Sequence, residues 1–338
     1  MIDHVGAGPE TGSEEPAVYH HPLPPAGFDP SKARDVELQR YGLPAGPGFA
    51  AGAAAAFRRG FLAPPPDRPL RFVPAQRPVL ALAAASAPAR TNRIAAGRLP
   101  VHKSANWSGA SLAPRGGRDF VSVMGRWTVP VVTGPAGGEE RRSSTWIGLD
   151  GQGFYQDSSL PQIGTLQIWH PGPPPQAAYE TWYQWWARGQ TNAPEPLPLP
   201  VTGGDVVSAI LTVLDPTTVR FNLKNETQGL MLQAFDATAP GPCRISGATA
   251  EWILERPSPL GSDGWHPYGL TAYAPFSFTE CVAQSAGAAG GALQDHDLAR
   301  ARLIRMAEIT AAARVRTISR PSLVPGRPQE VHLTYVGP

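Results

Sequence analysis

The strongest constraint on the fold lies downstream of Phe120, where short apolar runs of strand length follow one another, each closed by turn-forming residues. Val121, Val123, Trp127 and Val129 occupy alternate positions until Pro130 ends the run, which places them on one face of a strand. Val206 to Leu214 is largely apolar, Asp215-Pro216-Thr217-Thr218 supplies a turn, and Val219, Phe221 and Leu223 alternate on the return. Asn225 to Gly229 offers a further turn before Leu230 to Phe235, so these strands form a meander. Arg302 to Ile318 carries some helical propensity, yet Thr317 to Arg320 and Val331 to Val336 read as terminal strands and argue against a helix there. Such a pattern folds as an all-β sandwich or barrel.

Composition places that domain within the chain. The 338 residues, 42% of them hydrophobic, suffice for a substantial core. All 9 tryptophans lie between Trp107 and Trp265. The first hundred residues are instead rich in Ala, Pro, Gly and Arg, so residues 1–102 are expected to form a weakly structured leader and residues 103–338 the folded domain. The net charge of +2 indicates no particular partner, but no acid occurs from Arg68 to Arg118. Arg68, Arg71, Arg77, Arg90, Arg93, Arg98, Lys103 and Arg115 accumulate there, either as a solvated linker or as a basic segment that covers an acidic cleft. This stretch has few aromatics to stack on bases, which argues against nucleic-acid binding.

Other classes are excluded by what the chain lacks. With only 2 cysteines, Cys243 and Cys281, it is neither a disulfide-dense scaffold nor a four-thiolate zinc protein, although these two could form one disulfide in an exported chain. The histidines include no HExxH or comparable metal cluster, so no cofactor is expected. Met1-Ile2-Asp3-His4 does not open a signal peptide, and the apolar run Val79 to Ser86 is too short to span a membrane.

Chemistry concentrates in a few tracts. In Thr249 to Glu255 a period of two puts Glu251, Ile253 and Glu255 on one face and Trp252 and Leu254 on the other. A carboxylate on such a tryptophan-rich surface is either paired with a cation or poised for reaction. In Trp146 to Gly151, Trp146, Gly148 and Asp150 share a face, with the glycine leaving room for another backbone. Gln162 is a neutral amide in a glycine-containing strand. Beside Glu251 it would complete a pair in which a carboxylate takes a proton from water and an amide donates to the oxyanion that forms. The same residues leave other readings open. Trp182, Trp185 and Trp186 could stack on sugars in a lectin-like binding module, and Glu251 with Asp150 or Glu255 could serve a glycoside hydrolase. No G-x-S-x-G supports a serine hydrolase.

Taken in order, the tracts resemble the glutamic peptidases of the eqolisin type, also called the peptidase G1 or A4 family. The likeness runs from about Ser104 to Tyr335: NWSGA (Asn106 to Ala110), WTVP (Trp127 to Pro130), WIGLDG (Trp146 to Gly151), Q-x-G (Gln162 to Gly164), YETWYQWW (Tyr179 to Trp186), GD (Gly204, Asp205), N-x-T (Asn225 to Thr227), CRxxxxxAEWILE (Cys243 to Glu255) and FTEC (Phe278 to Cys281). Any one motif is weak, but their order is specific. The resemblance implies a β-sandwich of two large antiparallel sheets, similar to concanavalin-type lectins, with a substrate cleft on its concave face. It implies a metal-independent, pepstatin-insensitive endopeptidase that cleaves polypeptides in acid. Glu251 matches the general base and Gln162 the oxyanion donor, with Gln167 a weaker competitor for that role. Trp146 would line the site, Asp150 would support its hydrogen bonding, and Trp107, Glu180, Tyr183 and Gln184 would contact substrate. Where fungal members carry an acid in the aromatic tract, this chain has Gln184, with Glu180 nearby. A base with a near-ordinary pKa of about 4 would be ionised in mild acid. The resemblance further implies a secreted monomer whose N-terminal pro-segment sits against the cleft at neutral pH and leaves in acid.

Overall fold

The computed structural model describes residues 17–75, 103–151, 159–187, 193–258, 267–287, 291–310 and 312–337. Two antiparallel sheets pack face to face, as the alternating runs require. The front sheet runs, edge to edge, through Arg302–Ile309, Trp107–Leu112, Ala250–Glu255, Arg141–Leu149, Ser159–His170, Gln176–Ala187 and Glu195–Leu197. The back sheet runs through Phe235–Thr238, Thr218–Asn225, Val206–Asp215, Arg118–Thr128, Phe276–Gly287, Arg327–Tyr335 and Val315–Val324 to the same Arg302–Ile309 strand. That strand pairs in both sheets, with its first residues at the front and its last at the back, so it joins the sandwich along one edge.

The core lies between the sheets. Ile147, Leu149, Ile163, Tyr183, Trp185, Trp252 and Leu254 from the front meet Val123, Trp127, Val207, Leu211, Phe221 and Phe278 from the back. Trp252 places its indole N–H on the Met124 carbonyl at 2.8 Å, which satisfies the polar end of a fully buried ring. The expected meander is present over Val206–Asp215, Thr218–Asn225 and the paired pieces Leu230–Leu232 and Phe235–Thr238. Arg302–Ile309 and Val315–Val324 are strands, as their neighbours indicated. One detail of the Phe120 run differs. An irregular register between the Arg118–Thr128 and Phe276–Gly287 strands leaves Val121 unpaired, so Phe120 joins Val123 and Trp127 in the core and Val121 does not.

The leader requires a larger correction. Residues 17–75 are folded, with helices Asp35–Arg40 and Gly52–Leu62 and strands Val18–His20 and Arg71–Val73, the strands paired onto the back sheet. Leu38, Phe57, Phe61 and Leu62 pack against Met124, Ile210 and Val282. On their strands these three alternate with core residues, so they point away from the core, and the N-terminal segment covers the outer face of the back sheet. The short apolar runs look insufficient alone because their partner lies elsewhere in the sequence. A buried Lys224 completes the join. Its ammonium donates to the Phe61 and Ala63 carbonyls at 2.9 and 2.7 Å and pairs with Glu226 at 2.6 Å, which satisfies the open C-terminal carbonyls of the helix. Asn222 donates to the Gly42 carbonyl at 3.0 Å on the same face. The possible Cys243–Cys281 disulfide is not formed. Cys281 is a free thiol fully buried among core side chains, and burial raises its pKa well above the ordinary value.

Candidate active site

Strand register brings the candidate residues into one line. Across the front sheet, Arg302 faces Ser111, Ser111 faces Glu251, Glu251 faces Gly148, Gly148 faces Gln162, and Gln162 faces Gln184. Directly opposed residues of antiparallel strands project from the same face. Trp252 and Leu254 point into the core, so this row lies on the outer face of the front sheet. Glu251 and Gln162 therefore flank Gly148, with backbones roughly 9–10 Å apart. A Cβ at Gly148 would stand 2.8 Å from a Leu160 methyl and 3.0 Å from the Pro161 carbonyl, so the position admits no side chain without displacement.

Both functional groups are fully buried and incompletely satisfied. Gln162 donates from Nε2 to Gln184 Oε1 at 3.0 Å, while its own Oε1 has no partner among the described residues. Ser111 Oγ donates to Glu251 Oε1 at 3.4 Å, and Glu251 Oε2 has no hydrogen-bond partner among the described residues. Burial, reinforced by the charge of Asp150, raises the Glu251 pKa from 4.5 to about 8. The Thr249 hydroxyl, the Gly151 N–H and the Ser111 hydroxyl pull it the other way. Thr249 Oγ1 stops short of a full hydrogen bond. The near-ordinary pKa expected from sequence is thus corrected upward, because burial favours the neutral acid of Glu251.

The neighbouring groups hold the row in place. One step along the strands, Trp146 lies between Ile253 and Gly164. A Cβ on Gly164 would meet Trp146 Cβ at 2.6 Å, so that glycine makes room for the indole. Trp146 Nε1 donates to Glu255 Oε2 at 2.8 Å, and Asn106 Nδ2 donates to Glu255 Oε1 at 3.0 Å. Trp107 meets Trp146 edge to face, with centroids 5.1 Å apart. Asp150, in the left-handed region at φ 69°, accepts the Ser246, Gly247 and Ala248 N–H groups at 2.5, 3.2 and 2.7 Å. It thereby fixes the loop that leads into Thr249 and Glu251. Burial still raises its pKa above the ordinary carboxylate value.

A sequence model of the peptidase A4 family matches residues 105–322. The chain belongs to the peptidase A4 family. Similar solved structures include scytalido-glutamic peptidase bound to a peptide-based transition-state analogue, with 21% identity and a TM-score of 0.53, covering 69% of this chain and 98% of that one. Another is SCP-B, a member of the eqolisin family in complex with the tripeptide Ala-Ile-His, at 21% identity and a TM-score of 0.52, with the same coverage. These likenesses show the shared sandwich fold. No curated protein matches the chain.

In this A4 peptidase the outer face of the front sheet gathers Gln162, Glu251, Trp146, Trp107, Gln184 and Glu180, the last half-buried beside Leu166. Tyr183 does not belong there. It points into the core against Phe221 and Phe235, because it lies one residue out of phase with Gln184. Phase also removes two other candidates. Gln167 faces inward, where it bonds Ser143, Thr145 and Thr165, and Trp185 is a core residue. Ser111, Thr249 and Asn106 are site residues that sequence reasoning did not single out, whereas Glu255, read from sequence as sharing the Glu251 face, holds Trp146 and Asn106. The period of two from Trp107 through Gly109 to Ser111 was the available signal for the first. Among the described residues no group of three or more His, Cys, Asp or Glu side chains is arranged to hold a metal, and no helix is long and apolar enough to cross a membrane.

Proposed function

We propose that this peptidase is an endopeptidase in which Glu251 is the general base for the attacking water and Gln162 stabilises the tetrahedral oxyanion. The observation that carries this reading is the row itself: a buried carboxyl and a buried amide on one face, separated by a glycine, each with an oxygen unpartnered among the described residues. Gln162 Nε2 has two hydrogens, and Gln184 engages one, so the second is available to the oxyanion. No covalent nucleophile is required.

A general base must be ionised, so the raised pKa has a mechanistic consequence. In the substrate complex the attacking water, with the donors at Ser111, Thr249 and Gly151, holds Glu251 as the carboxylate, and its pKa falls toward the acidic working range. The pH profile of kcat/KM reports the free enzyme and that of kcat the complex. The apparent basic-group pKa should be higher in the first profile than in the second; the reverse order would refute this account.

The rival readings lose support for geometric reasons. Glu255 is engaged by Trp146 and Asn106 and lies four residues from Glu251, about 13 Å along the strand, beyond the spacing of a glycosidase pair. Asp150 is engaged by three backbone N–H groups. Digestion of an unfolded protein in acid, insensitive to chelators and pepstatin, tests the activity. Gln162→Ala should lower the rate by about 100-fold to 1000-fold, and Glu251→Gln should abolish it. Near-native proteolysis by Glu251→Gln would exclude the assignment.

The resemblance supports secretion, a monomeric state and a pro-segment role within residues 1–102. Residues 17–75 cannot act by covering the carboxylates, because they lie on the far side of the sandwich. Arg77 to Arg98 lies outside the described residues. On the pro-segment reading, N-terminal sequencing after acid treatment should find a cut before Ser104. An uncut Met1 terminus in fully active enzyme would refute it.

A further inference from the structure

A cavity of about 690 Å³ opens at the Glu251 end of the catalytic row, bounded by Ser111 and Thr249, the two residues whose hydroxyls lie against that carboxyl. Its charged lining comprises Arg115, Arg300, Arg302, Asp295, His296 and Asp297. The acids are held by structural contacts. Asp295 accepts the Ala54 N–H at 2.9 Å and Gln284 Nε2 at 2.9 Å, and Asp297 accepts the Ala299 N–H at 2.9 Å. His296 Nε2 meets Ser285 Oγ at 2.7 Å. Arg302 lies in the catalytic row itself, facing Ser111, while Arg115 and Arg300 are exposed and form no ion pair among the described residues.

From this arrangement we infer that the arginine-lined cavity is a substrate subsite that binds a peptide carboxylate. The inference rests on the peptidase reading above. A substrate crossing the strands along the row passes Gln184, Gln162 and Glu251 and then reaches Ser111 and Arg302. Arg302 is two strands from Glu251, roughly 9–10 Å, and an extended peptide advances about 3.3 Å per residue. Counted from a scissile bond between Glu251 and Gln162, up to one strand farther on, the carboxylate belongs about three to four residues away, on the Glu251 side. Guanidinium groups suit this task because they stay charged in acid and present paired donors to a carboxylate. The carboxylate comes either from an acidic side chain or from the C-terminus of a short substrate.

Quenched fluorescent peptides that differ only in Glu or Gln at two to four residues either side of the cleaved bond distinguish these sources, together with a pair ending in a free acid or an amide. At pH 5.5 the carboxylate-bearing member of one pair should have a kcat/KM about fivefold to tenfold higher, the scale of a partly exposed charge-assisted contact. A preference in a Glu/Gln pair assigns a side chain, and a preference in the acid/amide pair assigns the terminus. A side-chain preference should fade near pH 3, where the substrate Glu is protonated. Arg302→Gln should bring the ratio close to one. So should the exposed double substitution Arg115→Gln with Arg300→Gln, which keeps the test intact if the Arg302 variant fails to fold. Equal rates within every pair at pH 5.5 would overturn the subsite. Absence of turnover on all peptides would instead overturn the peptidase reading on which it rests.

Discussion

Glu251→Gln should give a protein that is inert and yet more stable than its parent at neutral pH. The Glu251 carboxyl is fully buried, and its pKa stands at about 8 against an ordinary 4.5. Between those values the folded chain holds a proton that the unfolded chain has released. Stability therefore falls as pH rises through that window, by about 1.4 kcal/mol per unit. Over the whole window the loss approaches about 5 kcal/mol, an upper bound because a site that relaxes on ionisation recovers part of it. Glutamine has the shape of the neutral acid and does not titrate. Asp150, also shifted upward, is present in both proteins and largely cancels in the comparison. Parent and variant should unfold in urea at similar midpoints at pH 4, and at pH 8 the variant should lead by roughly 2–5 kcal/mol. A gap of equal size at both pH values, or a variant weaker than its parent at pH 8, would refute the claim that the burial of the carboxyl is incompletely compensated.

Gly148→Ala should cost about 1–3 kcal/mol, since the new methyl meets Leu160 and the Pro161 carbonyl, and the displaced neighbouring strand should lower kcat more than it raises KM; steady-state kinetics beside urea unfolding would check both. Glu255→Gln weakens the acceptor for the Trp146 indole and the Asn106 amide. It should lower kcat/KM while leaving the Glu251 limb of the pH profile in place, whereas a profile shifted by a full unit would make Glu255 an electrostatic partner instead. Phe57→Ala empties a buried ring site between the helix and the back sheet and should destabilise by about 3–5 kcal/mol. Calorimetry should then show one transition at lower temperature; two separate transitions would mean that the N-terminal segment folds as an independent unit.

The sandwich was legible because its evidence is local: Val219, Phe221 and Leu223 alternate, and Asp215 and Pro216 turn the chain, whatever lies opposite. The face carrying Glu251 was legible for the same reason. Register was not, since the facing of Glu251, Gly148 and Gln162 depends on pairings between segments far apart in sequence. Tyr183 shows the limit of a motif. It stands in an aromatic tract of which alternate residues face the site, and a shift of one position sends it into the core. The helix at Gly52–Leu62 escaped notice because its apolar stripe is short and its partners Met124, Ile210 and Val282 occupy strand positions otherwise expected to face solvent. The Glu251 pKa was equally hidden, because burial belongs to the assembled sheet and not to the tract AEWILE.

The N-terminal segment also has a consequence for biosynthesis. The helix around Phe57 is made well before the strands it packs on, for the Asp295 carboxylate that receives its Ala54 N–H lies 241 residues later. At about 5–20 residues per second that partner follows by roughly 10–50 s. During that interval Phe57, Phe61 and Leu62 have no sheet to cover them, and the Lys224 ammonium that will bind the helix end is itself unmade for most of it. A segment made ahead of its partners is therefore among the last to find its place. A nascent chain of this kind favours holding factors over rapid spontaneous closure, and its yield of folded protein should depend on how long that apolar stripe is kept from other chains.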